Sequence, residues 1–114
     1  VWHDNFPEAL AVAQKTQKPL FLDFTGYTCV NCRWMEKSVF AKPEVLELFQ
    51  KKFVLAQLYT DGGAFQEANQ ELQMERFNTS ALPFYVVLNA NDQEIRRHAG
   101  IIPDAKDFLT FLEF

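Results

Sequence analysis

Two cysteines three residues apart carry the first chemical signal in this 114-residue chain: Cys29 and Cys32, in Thr-Cys-Val-Asn-Cys-Arg-Trp-Met-Glu. Trp34, Met35, Val39 and Phe40 continue the segment with helical periodicity, so Cys29 falls at a helix start. Orphan backbone N–H groups and the positive end of the helix dipole favour the thiolate there, which is the nucleophilic form. Cys32 lies one turn along on the same side, within reach for a disulfide. A pair that can open and close without unfolding anything is a dithiol redox centre. Cys29, at the exposed helix start, is expected to attack, and Cys32 to resolve the mixed disulfide. Other uses of cysteine fit poorly. A zinc cage needs two more ligands, and only His3 and His98 are on offer, at no ligand spacing. Covalent haem needs a His after the second Cys, where Arg33 stands. A purely structural bridge would close so small a loop that it would gain little. No metal and no cofactor other than the Cys29–Cys32 disulfide itself is expected.

Two carboxylates flank the pair in sequence. Asp23 interrupts the apolar run Leu20-Phe21-Leu22-Asp23-Phe24. A buried carboxylate is expensive, so strand alternation turns Asp23 outward, or a neighbour satisfies it, or it serves the disulfide as a proton acceptor. Glu36 is four residues after Cys32 and seven after Cys29, on the same helical face as both. It is either a solvated residue paired with Arg33 or a second charge near the thiols. In the latter case the two carboxylates disfavour thiolate and raise the thiol pKa, which makes the reduced form a ready electron donor. The expected role is reductant.

These residues need a strand beneath and a helix above. Leu20 to Phe24 reads as a buried strand that turns through Gly26 into the cysteine helix. An earlier helix, capped by Asp4 or Asn5 with Pro7 in its first turn, carries Phe6, Ala9, Leu10 and Ala13. Lys42-Pro43 breaks the helix, which resumes from Glu44 to Lys52. Phe53 to Tyr59 is a second buried strand, closed by the turn Asp61-Gly62-Gly63. Phe65, Ala68, Leu72 and Phe77 stripe another helix, Phe84 to Leu88 is a third strand, and Glu94 to Ala99 a polar edge strand. A last helix carries Phe108, Leu109, Phe111 and Leu112. Helix-separated early strands require parallel crossovers, and the late pair across a four-residue turn requires a hairpin. The expected class is α/β, a central mixed sheet flanked by helices on both faces, in a single domain over residues 1–114. Hydrophobic residues make up 48% and aromatics 15%, with 12 Phe, enough for a dense core in which Trp34, Phe40 and Tyr85 are expected to lie. A net charge of −4 with mixed signs argues against nucleic acid as a partner. No apolar stretch approaches the ~18 residues of a membrane helix. The start at Val1 and the end directly after an apolar helix suggest a piece excised from a longer membrane protein.

A buried strand with Asp23 six residues before Cys29, Cys-x-x-Cys opening a helix, Leu82-Pro83 before a third strand and Gly100 before the last helix together resemble the thioredoxin superfamily. Within it, Asp23 through Cys32 followed by Glu36 is similar to the C-terminal thioredoxin-like domains of DsbD-type thiol:disulfide interchange proteins. Thr28, where ordinary thioredoxins have Trp, and Val30-Asn31, in place of Gly-Pro, set the chain apart from them. The resemblance implies a thioredoxin-like fold and a proton-exchanging Asp23 beneath the disulfide. It also implies a cis peptide before Pro83, with Tyr27, Thr28, Leu82, Pro83 and Gly100 framing a shallow partner groove. It further implies a periplasmic, monomeric domain of an inner-membrane protein. Such a domain takes electrons from a membrane-embedded dithiol donor and passes them to extracytoplasmic disulfide-containing acceptors, including those of cytochrome c biogenesis. Two alternatives stay open: a free-standing, cytoplasmic thioredoxin-like reductase, and a redox-inactive binding domain of the same fold.

Overall fold

β2 (Leu20–Thr25) runs through the middle of a five-stranded sheet, and all six of its residues are buried. A strand covered on both faces has no polar side to show, so its apolar residues run consecutively rather than alternating. It pairs in parallel with β3 (Val54–Tyr59) and antiparallel with β4 (Phe84–Leu88), which continues antiparallel into β5 (Glu94–Ala99). At the other edge β1 (Trp2–His3) adds in parallel to β3, giving the order β1-β3-β2-β4-β5. The computed structural model describes residues 1–114, and they form the mixed α/β sheet expected from the order of elements. β1 is an addition, since two residues carry no periodicity of their own.

Side-chain alternation along β2 divides the core in two. Phe21, with Leu55, Tyr85 and Val87 of the neighbouring strands, packs against α2 (Val30–Met35), α3 (Pro43–Lys52) and α5 (Ala105–Leu112) through Met35, Phe49 and Phe108. Leu20, Leu22 and Phe24 face the other way, onto Ala9 and Ala13 of α1 (Phe6–Thr16) and Phe77 of α4 (Gln66–Phe77). Phe21 is the hub of the first layer: its ring lies 5.1 Å from Phe49, 5.5 Å from Tyr85 and 5.8 Å from Phe108, centroid to centroid. Burying one such side chain is worth roughly 1.5–3 kcal/mol.

The helix ends follow local chemistry. Asn5 caps α1 by accepting the Glu8 N–H at 3.0 Å, and Pro7 fills the first turn. Lys42 is extended (ψ 136°) ahead of Pro43, as the ring demands. After α2 the chain does not simply break: Glu36–Phe40 forms a π-helical turn before Pro43 restarts an α-helix.

Two expectations fail. Phe40 and Tyr85 are core residues, but Trp34 is 41% exposed. It sits one turn beyond the exposed Val30, on the side of α2 opposite the buried Cys32 and Met35. In α4 the fully buried row is Asn69, Gln73 and Phe77; Leu72 packs half-buried against the same core, whereas Ala68 and Phe65, which precedes the helix, are exposed. The two amides are buried because each donates to a backbone carbonyl, Asn69 to Tyr59 at 2.9 Å and Gln73 to Ala81 at 2.8 Å. Hydrogen bonding thus fixes the loop that leads to Leu82 and Pro83.

Candidate active site

Cys29 caps α2 with its own sulfur, Sγ accepting the Cys32 N–H at 3.1 Å. The two cysteines are joined as a disulfide, with Cα atoms 5.2 Å apart, inside the range that such bridges need. Their exposures differ: Cys29 is half-buried, and Cys32 is only 2% exposed. Cys29 is therefore the more accessible of the two residues.

The turn ahead of Cys29 is held by a residue that the sequence does not single out. Asp61, just past β3, accepts the Tyr27 N–H at 2.8 Å, and the Thr28 N–H and hydroxyl at 3.2 Å each. These bonds, the Tyr27 amide foremost, hold its carboxyl below the usual aspartate range. Gly26 is tight here, because a Cβ would come within 3.0 Å of Asp61 Oδ2 and 3.3 Å of Leu82 Cδ1. The Gly26 carbonyl accepts the Cys29 N–H at 3.2 Å, so Leu82, Gly26 and Cys29 are contiguous. The Leu82–Pro83 peptide is cis. Gly100, at φ +93°, donates its N–H to the Pro83 carbonyl at 2.8 Å. Gly100 therefore stands next to Pro83. Tyr27 is 54% exposed and stacks on Tyr59 at 3.9 Å, with the Arg33 guanidinium 5.7 Å from the Tyr59 ring centroid.

Beneath the helix, Gln57, Asp23 and Tyr85 form one row across β3, β2 and β4, on the sheet face that α2 covers. Asp23 is 2% exposed. Its Oδ2 accepts from Gln57 Nε2 at 3.4 Å, and its Oδ1 has no hydrogen-bond partner. Burial pushes the carboxyl up to about 7; the Gln57 hydrogen bond opposes this, the Glu36 charge adds to it, and Arg33 opposes it. The outward orientation of Asp23 that strand alternation allowed does not occur. Glu36 Oε2 accepts from Arg33 Nη2 at 2.7 Å and from Gln57 Nε2 at 3.2 Å, while Arg33 Nη2 also reaches Thr25 Oγ1 at 2.9 Å. Glu36 is thus both the ion-pair partner of Arg33 and a neighbour of the buried acid. The two readings of Glu36 offered by the sequence therefore hold together, with Arg33 as the cation that partly offsets the carboxylates.

The cysteines, Asp23 and Glu36 fall on one side of the sheet, with Tyr27, Thr28, Leu82, Pro83 and Gly100 around the end where α2 begins. Gln57 and Asp61 were missed. Gln57 had a signal, a lone amide inside an apolar strand, the same anomaly that marked Asp23. Asp61 had none, because its partners are 33 and 34 residues away.

Residues 1–90 match the family described as Thioredoxin-like. The chain is 35% identical over 102 residues to thiol:disulfide interchange protein DsbD 2 of Pseudomonas aeruginosa, covering 88% of this chain and 16% of that protein. It thus spans about a sixth of that curated relative's length. Among solved structures, a thioredoxin from Thermus thermophilus superimposes with a TM-score of 0.81 at 30% identity, over 97% of this chain and 82% of that one. The oxidised C-terminal domain of Neisseria meningitidis DsbD shares the fold at a TM-score of 0.72 and 21% identity, over 98% and 97%. With a family match over most of its length and a Cys-x-x-Cys disulfide at a helix start above a central mixed sheet, the chain belongs to the thioredoxin-like family of oxidoreductases.

Proposed function

We propose that this domain reduces disulfides in other proteins by dithiol exchange, as a relay between a membrane-embedded dithiol and extracytoplasmic acceptors. The observation that carries the proposal is the asymmetry of the bridge, with Cys29 accessible and Cys32 buried on the sheet face that also holds Asp23. In the reduced domain the Cys29 thiolate attacks one sulfur of the acceptor disulfide, forming a mixed disulfide and expelling the acceptor's other sulfur as thiolate. Cys32 gives its proton to Asp23, and its thiolate then attacks Cys29 Sγ. The Cys29–Cys32 bond forms, the second acceptor sulfur leaves, and both acceptor thiolates take up protons. Two electrons have moved from the domain to the acceptor. A carboxyl near 7 is suited to this, since it takes and returns a proton at neutral pH with little cost in either direction.

The direction of flow is supported by electrostatics. Asp23 and Glu36 oppose negative charge on the sulfurs, while Arg33 is held by Glu36 and Thr25. A poorly stabilised thiolate favours the disulfide, which makes the dithiol the donor. The relative from Pseudomonas aeruginosa, a thiol:disulfide interchange protein several times longer, supports a periplasmic setting as one domain of an inner-membrane protein. The Cys29–Cys32 pair carries the electrons in its dithiol form, without a further cofactor. Access to one sulfur at a time, beside the Leu82 backbone, suits brief encounters with a donor and an acceptor in turn.

The test is a pair of substitutions. Cys32→Ser should leave a nucleophile that accumulates mixed disulfides, resolvable by added dithiol, whereas Cys29→Ser should neither trap partners nor reduce insulin. Trapping by Cys29→Ser alone would reverse the assignment.

A further inference from the structure

Gln57 belongs to no step above, yet it is the one group that touches both carboxylates. Its Nε2 lies 3.4 Å from Asp23 Oδ2 and 3.2 Å from Glu36 Oε2, so one amide nitrogen serves acids from two different elements. A side-chain amide carries two N–H hydrogens, one for each carboxylate, and two acceptors facing it leave no role there for the amide oxygen. The tether continues outward through Glu36 to Arg33. Glu36 and Gln57 also line a cavity of about 420 Å³ with Trp2, Phe40, Leu46 and Phe49, beside β1. None of Tyr27, Thr28, Cys29, Cys32, Leu82, Pro83 or Gly100 lines it.

We propose that Gln57 is the positioning residue that couples Asp23 to Glu36, so that the two carboxylates hold and release a proton as one unit whose contact with solvent is at the β1 edge. The proposal deepens the function above and rests on Asp23 exchanging a proton with Cys32. A neutral donor is what such a unit needs. A lysine at this position would pin both acids in the charged form, and an apolar side chain would leave two oxygens of a partly buried pair with no shared donor. The other groups facing Asp23 cannot substitute for it. Arg33 engages Glu36 and Thr25. Tyr85, opposite on β4, is a phenol whose own ionisation is pushed up by burial and by the two carboxylates. Cys32, buried on the helix that covers this face, is the proton partner that the proposed function gives Asp23.

The full chain separates the possibilities when Asp23 is titrated by carboxyl-carbon NMR in wild type, Gln57→Leu and Gln57→Lys. Gln57→Leu should raise the Asp23 midpoint by about one pH unit, through loss of a hydrogen bond to the charged form, and Gln57→Lys should lower it by about one unit or more. Opposite shifts cannot come from a common loss of packing. Glu36→Gln should lower the Asp23 midpoint, because the Glu36 charge raises it. Shifts of the same sign in both Gln57 variants, or a midpoint unmoved by either, would overturn the coupling. The decay of a mixed disulfide between Cys29 and a small peptide, followed against pH in the same variants, tests the underlying reading separately. A kinetic midpoint that tracks the NMR midpoint supports both. An NMR midpoint that moves while the kinetic one stays leaves the coupling intact and removes Asp23 as the proton partner of Cys32.

Discussion

Asp23→Asn replaces a buried acid by a neutral side chain of the same shape, and its effect on stability follows from where the acid sits. In the folded protein the carboxyl keeps its proton up to about pH 7, whereas in the unfolded chain it gives it up near the ordinary value of 3.8. The folded value is the higher one, so the unfolded state is favoured progressively as the pH rises between the two. The stability is whole below about pH 4, declines through the interval and is fully lost above about 7. Roughly three pH units at about 1.4 kcal/mol each put the total near 4 kcal/mol. Asparagine has no proton to lose and avoids the decline. Urea denaturation of the oxidised proteins at pH 4.5 and pH 8 measures the difference, provided the slopes agree. The advantage of Asp23→Asn over wild type should be about 3 kcal/mol larger at pH 8 than at pH 4.5. The same variant should resolve mixed disulfides more slowly at neutral pH, a gain in stability set against a loss of function. An advantage independent of pH would mean that Asp23 is ionised in the fold at both values, and would refute the argument.

Two further outcomes follow from the same network. Glu36→Gln should lower the pKa of the Cys29 thiol, because it removes a negative charge and also releases Arg33 from its 2.7 Å ion pair; thiolate absorbance against pH reads the shift, and a raised value would count against carboxylate control of the site. Asp61→Ala should free the amides of Tyr27 and Thr28, seen as faster hydrogen exchange at those two positions together with slower insulin reduction; unchanged protection would mean that the turn is rigid without its clamp.

The chemistry was legible where it was local. Cys29, Cys32 and the break at Pro43 follow from residue types at short spacing, and the sheet order follows from which strands are separated by helices and which by a turn. Asp23 stood out because a carboxylate in an apolar run needs an explanation, although the run alone could not say on which face it lay. What stayed hidden depends on partners distant in sequence. Asp61 looks like the first residue of a glycine turn until the fold brings the turn before Cys29 against it. Trp34 looks like core on hydrophobicity, but the phase of α2 is set by Cys32 and Met35, and it points Trp34 outward. In α4 Leu72 and Phe77 of the apolar stripe do reach the core, but Asn69 and Gln73 are buried beside them because the carbonyls of Tyr59 and Ala81, distant in sequence, accept their amides. β1 is invisible because its stability comes from β3 and from Trp2 against Phe40 and Phe49.

That shortest strand has a consequence for how the domain behaves in company. β3 is a long, mostly apolar strand, and on its outer side it meets only Trp2 and His3, in register with Leu55 and Ala56. An uncovered strand of this kind offers unpaired N–H and C=O groups to any other chain that can lie alongside. The opposite border, β5, is guarded by its own charges, Glu94, Arg96 and Arg97. Trp2 and His3 therefore act as a clasp against edge-to-edge self-association, with the Trp2 ring as the catch. A tag, linker or proteolytic cut that pulls these two residues away would leave the disulfide untouched while turning a well-behaved domain into one that pairs with its own copies.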